Sequence, residues 1–222
     1  MAAELWTIVP MRGFESGKTR LAAAIDSDAR VRLNRWLLVR TLKVIKRWRR
    51  GLKRCVVVTP CDQVLELARR AGAAVVRETK SANDLNQALA LGASYAAANR
   101  AGRVLVLACD LPDLTVEALR ALTRAAAHPE QLVLAPDSAG TGTNAMLVAA
   151  CPDLQFRFGE HSFARHRKWA AARGWPVAVI ARPELAFDLD TPEDLAAWLA
   201  RGAPTDARLR RALLRPSAQG RF

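Results

Sequence analysis

Val104-Leu105-Val106-Leu107-Ala108-Cys109-Asp110-Leu111-Pro112 is the stretch on which the fold turns. A short unbroken apolar run, stopped almost at once by proline, reads as a strand buried on both faces, as in a parallel sheet. Asp110 falls where that strand ends. Upstream, Leu5–Val9 stops at Pro10, Cys55–Thr59 stops at Pro60, and Ala73–Arg77 makes a further strand. Between them lie helical segments. Asp28–Arg50 carries apolar residues at helical spacing with arginines between and Gly51 after it, Asp62–Ala71 is followed by Gly72, and Asp84–Asn99 is rich in Ala and Leu. Downstream, Thr115–Ala127 is helical, with Thr115 placed to cap it and Glu117 in the first turn.

Strands alternating with helices predict an α/β fold with a largely parallel sheet and helices on both faces. After Pro136 the rhythm loosens. Ala145–Ala149, Val177–Ile180 and Ala186–Leu189 read as further strands separated by long loops, so a mixed, mostly parallel sheet in a single domain is expected. The organisation expected is one domain over residues 1–204 and a basic helical tail over 205–222.

The 222 residues are half hydrophobic, enough for a full core without disulfides. Leu5–Val9 is too short for a signal peptide, and no apolar run approaches the ~20 residues that cross a bilayer. A cytoplasmic protein with no membrane partner is the expectation. Cys55, Cys61, Cys109 and Cys151 are scattered, form no C-x-x-C pair and read as reduced thiols rather than a zinc site. The net charge of +13 is local. Eleven Lys or Arg and no acid lie between Arg30 and Arg54, and six Arg against Asp206 follow residue 200. Basicity confined to two segments argues against a nucleic-acid partner, although a binding module built on the 30–54 helix stays as an alternative.

Ligands of open α/β sheets bind beyond the carboxyl ends of the strands, where Asp110 sits. Asp188 and Asp190 are separated by one residue, which in extended chain points both carboxylates to one face roughly 6.5 Å apart. Such a pair repels itself unless a cation intervenes, and magnesium (Mg2+) favours hard oxygen ligands beside substrate phosphates. Asp190 could instead cap a helix opened by Thr191-Pro192, but capping leaves Asp188 without a role. The loop Gly13–Lys18 suggests a P-loop, yet only three residues separate its glycines where that motif has four. A P-loop NTPase or kinase is therefore the second alternative; otherwise Lys18 and Arg20 can neutralise phosphates as plain charges. Thr143 and Asn144 close a small polar loop from Pro136 and offer directional donors to a ligand, and Ser162 starts a helix whose amides, with Arg165 and His166, suit an anion.

In order along the chain, Lys18-Thr-Arg-Leu21, Asp84-Leu-Asn-Gln-Ala-Leu89, Asp110-Leu-Pro112, Gly142-Thr-Asn-Ala145, Phe158-Gly-x-x-Ser-Phe163 with His166, and Asp188-Leu-Asp-Thr-Pro-Glu-Asp-Leu195 resemble the CofC/FbiD guanylyltransferases of coenzyme F-420 biosynthesis. The resemblance covers about residues 5 to 200. It implies a nucleotide-diphospho-sugar transferase-like fold, GTP as donor, magnesium as cofactor and a small phosphorylated carboxylic acid as acceptor. It also implies metal binding by Asp110, Asp188 and Asp190, acid binding by Thr143, Gly159 and Ser162, and nucleotide contacts from the motifs holding Lys18, Asp84 and Asn86. The oligomeric state stays open, a homodimer among the options.

Overall fold

Alternation within single strands builds the two faces of the sheet. Along β4 (Ala101–Leu107), Leu105 and Leu107 enter one core and Val104 and Val106 the other. Along β1 (Glu4–Pro10), Val9 enters the first while Trp6 and Ile8 enter the second. All are buried, as a strand covered by helices on both sides requires. Each such aliphatic side chain contributes about 1.5–3 kcal/mol by leaving water. The protein, described here by a computed structural model, is described over residues 4–78, 84–151, 153–202 and 206–214.

With β2 (Cys55–Thr59), β3 (Ala74–Arg77), β5 (Leu132–Pro136), β6 (Thr143–Ala149) and β7 (Val177–Val179), the strands form one seven-stranded sheet in the order β3-β2-β1-β4-β6-β5-β7. β1 pairs in parallel with β2 and β4, and β2 with β3. β6 runs antiparallel to both β4 and β5, and β7 is parallel to β5. Only β6 is reversed, so its first residues reach the rim where the other strands end. This is the mixed, mostly parallel sheet the sequence predicts.

α1 (Ser27–Arg49), α2 (Asp62–Ala71) and α4 (Val116–Arg124) contribute to the first face, while α3 (Leu85–Ala98) and α5 (Ser162–Ala171) contribute to the second. Asp26, two residues before the expected start, caps α1 by accepting from the Ala29 amide, and Arg50 ends it in the left-handed region. Gly92 lets α3 press on the sheet: a Cβ there would lie 2.6 Å from the Ile8 side chain. A third cluster joins α1 to α7 (Pro192–Ala200) and α8 (Ala207–Leu213) through Leu33, Leu37, Trp198, Leu209 and Leu213. The described part of the basic tail is thus docked on α1; the expected boundary at 204/205 and residues 215–222 lie outside the described residues. Among the described residues no helix is long and apolar enough to cross a membrane.

Two expectations need correction. Ala186–Leu189 is not a strand: Pro183 and Glu184 start a short helix, α6 (Pro183–Ala186), and the chain then crosses the rim unpaired. There the Leu189 amide donates to the Asp110 carbonyl, so its alternation serves a rim crossing rather than a sheet edge. Conversely, Leu132–Pro136 is an interior strand, between β6 and β7, that the sequence reading does not name.

Candidate active site

That one amide joins two separate loops at the rim. The Leu189 N–H to Asp110 carbonyl bond, 3.1 Å long, ties the segment carrying Asp188 and Asp190 to the end of β4. Leu189 is buried beneath it, so the flanking aspartates face the other way, as alternation demands. Both line a cavity of about 500 Å³ together with Asp110 and Lys18.

Lys18 holds the centre of this group. Its Nζ donates to Asp110 Oδ2 at 2.8 Å and to Asp190 Oδ1 at 2.6 Å, with only 7% of the side chain exposed. Burial opposes its charge, but the Coulombic pull and hydrogen bonds of the two aspartates outweigh that and raise its pKa above the ordinary lysine value. Lys18 also sits in the left-handed region, with φ 59° and ψ 39°, ahead of a short 3-10 turn at Thr19–Ala23. The loop before it is braced from α1: buried Asn34 donates through Nδ2 to the carbonyls of Phe14 (2.8 Å) and Gly17 (3.3 Å). A five-residue 3-10 turn replaces the long helix that follows a true P-loop, which removes that alternative's geometry.

Asp188 stands apart from the ammonium. Asn144 donates to its Oδ1 at 3.3 Å while also binding the carbonyls of Leu185 and Ala186. Burial first, and then the charge of Asp110, push the Asp188 carboxyl up to about 6. Asn144 was expected to offer donors to a ligand; its amide is spent on α6 and Asp188, which it positions.

A second part of the lining, around Thr143, carries no formal charge. Thr143 opens β6 and lines the cavity, as do Gly159 and Ser162. Thr143 Oγ1 lies 3.1 Å from Nδ1 of His166, whose Nε2 accepts from the Arg157 amide at 3.2 Å. An Nε2 that accepts leaves the proton on Nδ1, so His166 donates to Thr143 and frees the threonine hydroxyl hydrogen for the cavity. Burial, then Arg165 and Arg157, depress His166 to about 4, so the ring is neutral near pH 7. Gly142 keeps the preceding turn tight: a Cβ there would lie 2.5 Å from Asp137 Oδ2.

Asp110, Asp188, Asp190, Lys18, Thr143, Gly159 and Ser162 therefore share one cavity. Three other candidates do not line it. Arg20 is exposed on the 3-10 turn, Asp84 caps α3 and lines a smaller adjoining cavity, and Asn86 clamps the Phe158 backbone, donating to its carbonyl and accepting from its amide. The anion pocket at α5 also differs from expectation. The Ser162 and Phe163 amides donate to the carbonyls of Gly159 and Thr141, Arg165 is exposed, and His166 is buried and uncharged. That leaves the Ser162 hydroxyl and the Gly159 backbone at the cavity. Arg12 and Asn34, which line it too, escaped the sequence reading; Asn34 was detectable as a lone amide on the apolar face of α1.

All four cysteines are free, and burial first pushes Cys55 and Cys109 up to about 12, so both remain thiols. Among the described residues no three Asp, Glu, His or Cys side chains are arranged to hold a metal as they stand. The physical reason is Lys18, whose ammonium fills the gap between Asp110 and Asp190. The donor set nonetheless suits magnesium: the three carboxylates line the cavity, and Asp188 forms no ion pair among the described residues.

A family model described as "Guanylyl transferase CofC like" matches residues 5–215. A phosphoenolpyruvate guanylyltransferase of Rubrobacter xylanophilus is 39% identical over 198 residues, covering 89% of this chain and 95% of the relative. A 3-phospho-D-glycerate guanylyltransferase of Phenylobacterium zucineum is 37% identical over 198 residues, 88% of this chain and 89% of that one. Among solved structures, a Desulfovibrio desulfuricans G20 protein assigned to the nucleotide-diphospho-sugar transferases superposes with TM-score 0.72 at 18% identity, covering 95% and 94% of the two chains. A nucleotidyl transferase from Methanothermobacter thermautotroptrophicus gives 0.60 at 17% identity, covering 95% and 97%. At such identities these two speak for the fold.

Proposed function

The chain belongs to the CofC-like guanylyl transferase family, and on that premise we propose that it moves the GMP unit of GTP onto the phosphate of phosphoenolpyruvate or 3-phospho-D-glycerate, releasing pyrophosphate, in the cytoplasm and with magnesium. 2-Phospho-L-lactate is the third acid of this class. The observation that carries the reading is one cavity lined both by the charged group of Lys18, Asp110, Asp188 and Asp190 and by the neutral side chains of Thr143 and Ser162.

The reaction needs no protein nucleophile. An acceptor phosphate oxygen is anionic near neutral pH; it forms a bond to the α-phosphorus of GTP while the α–β bridging bond breaks and pyrophosphate leaves with that electron pair. The protein's task is to bring two polyanions together and hold them in line. Lys18 is the buried cation on the donor side, able to neutralise phosphate oxygens. On the acceptor side, the Thr143 hydroxyl, oriented by His166, and the Ser162 hydroxyl offer directional donors for the acid. Asp110, Asp188 and Asp190 would hold magnesium, which when bound offsets charge gathering on the transferring phosphoryl group.

The test is a product assay. Pure protein is incubated with GTP, magnesium and each acid separately, and pyrophosphate is measured alongside the guanylylated acid. One of the three acids is expected to give both products in equal amounts. Release of GDP and inorganic phosphate instead would overturn the reading.

A further inference from the structure

Two short bonds from a single ammonium raise a question of occupancy. Lys18 Nζ lies 2.8 Å from Asp110 Oδ2 and 2.6 Å from Asp190 Oδ1. These oxygens face the cavity, and among the described residues no three carboxylate, imidazole or thiol groups are set to hold a metal as they stand. An ammonium and a divalent cation cannot both use this pair, because like charges a few ångströms apart in a partly dry site repel strongly. Lys18 is also the part able to move. Its backbone is fixed in the left-handed region, with Phe14 in the core and the loop carbonyls pinned by Asn34, so freedom lies in its four-carbon stem. That stem lines the same cavity in which a triphosphate is proposed to bind.

We propose that Lys18 is the resident counter-cation of this pocket, and that a divalent metal gains Asp110 and Asp190 only when an incoming triphosphate draws the Lys18 ammonium onto its own oxygens. The inference rests on the guanylyltransferase reading for the identity of the triphosphate. It does not rest on it for the competition between ammonium and metal. Removing the lysine leaves two carboxylates without a cation, so the vacated pair binds metal without nucleotide. Metal and nucleotide then lose the share of their mutual assistance that passes through Lys18, and linkage makes that loss reciprocal.

The experiment measures Mn2+ binding to the full chain, without nucleotide, from the signal of free Mn2+ in electron paramagnetic resonance. Lys18→Met is expected to bind Mn2+ at least tenfold more tightly than the wild type. Arg20→Met, which removes an exposed cation outside the cavity, is expected to stay within threefold of it. Circular dichroism checks folding, and Lys18→Gln is read the same way if Lys18→Met does not fold. Adding a GTP analogue that cannot transfer GMP is expected to tighten Mn2+ binding more in the wild type than in the variant. Equal or weaker Mn2+ binding in the folded Lys18 variant overturns the proposal. A wild type that makes no pyrophosphate yet shows the Mn2+ difference would retire the transfer reading alone; intact transfer with no difference would retire this one alone.

Discussion

The two walls of the cavity are built from opposite kinds of interaction. In one part the rim presents charge: a buried ammonium clasped by Asp110 and Asp190, with Asp188 under the repulsion of both aspartates. Around Thr143 it presents a relay of neutral donors, from the Arg157 amide through His166 to Thr143. The charged wall is suited to the step in which phosphate charge shifts. The neutral wall is suited to holding an anion without an excess of positive charge around it. Substitutions on the first should therefore reduce turnover, and those on the second should weaken acceptor binding or stability.

Asp188→Asn sharpens the contrast most. It keeps the shape and the Asn144 contact but removes the charge, and kcat for transfer should fall by about a thousandfold or more with the melting temperature nearly unchanged. Steady-state pyrophosphate release checks this, and turnover within tenfold of wild type would erase the difference between the walls.

The neutral wall should show itself next through pH. A histidine whose folded pKa lies below its unfolded value stabilises the fold above the unfolded pKa and loses that contribution as pH falls. For His166, lowered from 6.5 to about 4, the loss runs across that window and totals about 3 kcal/mol. Urea unfolding at pH 7 and pH 4 should show it in the wild type. His166→Gln should flatten the dependence over the same interval, and an unchanged slope would place the sensitivity elsewhere.

Behind the charged wall, Asn34→Ala leaves the carbonyls of Phe14 and Gly17 without their donor. It should cost about 2 kcal/mol in denaturant unfolding and lower kcat through a loosened Lys18 loop. The smallest effect belongs to Thr143→Val, which should raise KM for the acid about tenfold while kcat changes little. A kcat loss equal to that of Asp188→Asn would mean the walls do not divide the work as described.

How far each wall was legible follows from its chemistry. Asp110 could be read because a continuous apolar strand ended in proline, and the parallel half of the sheet came with it. Asp188 and Asp190 stand out as a pair, but Ala186–Leu189 reads as a strand, because Phe187 and Leu189 flank Asp188 as alternation would have it. Nothing local records that Leu189 pairs with the Asp110 backbone, a partner 79 residues away. The ammonium between the aspartates was equally hidden, since charge pairing between residues 18, 110 and 190 is a property of the closed fold. On the neutral wall Thr143 and Ser162 were found as polar residues at element starts. His166 was misread as an anion ligand because its burial, and thus its charge, depends on Phe158 packed against its ring at 4.8 Å.

The most direct test is a crystal of the full chain grown with Mn2+ and a GTP analogue that cannot transfer GMP, scanned for anomalous scattering. The account predicts a manganese peak in coordination contact with carboxylates of the Asp110, Asp188 and Asp190 group, bridging to nucleotide phosphate oxygens within the cavity. A peak elsewhere, or a nucleotide bound outside the cavity, would contradict it.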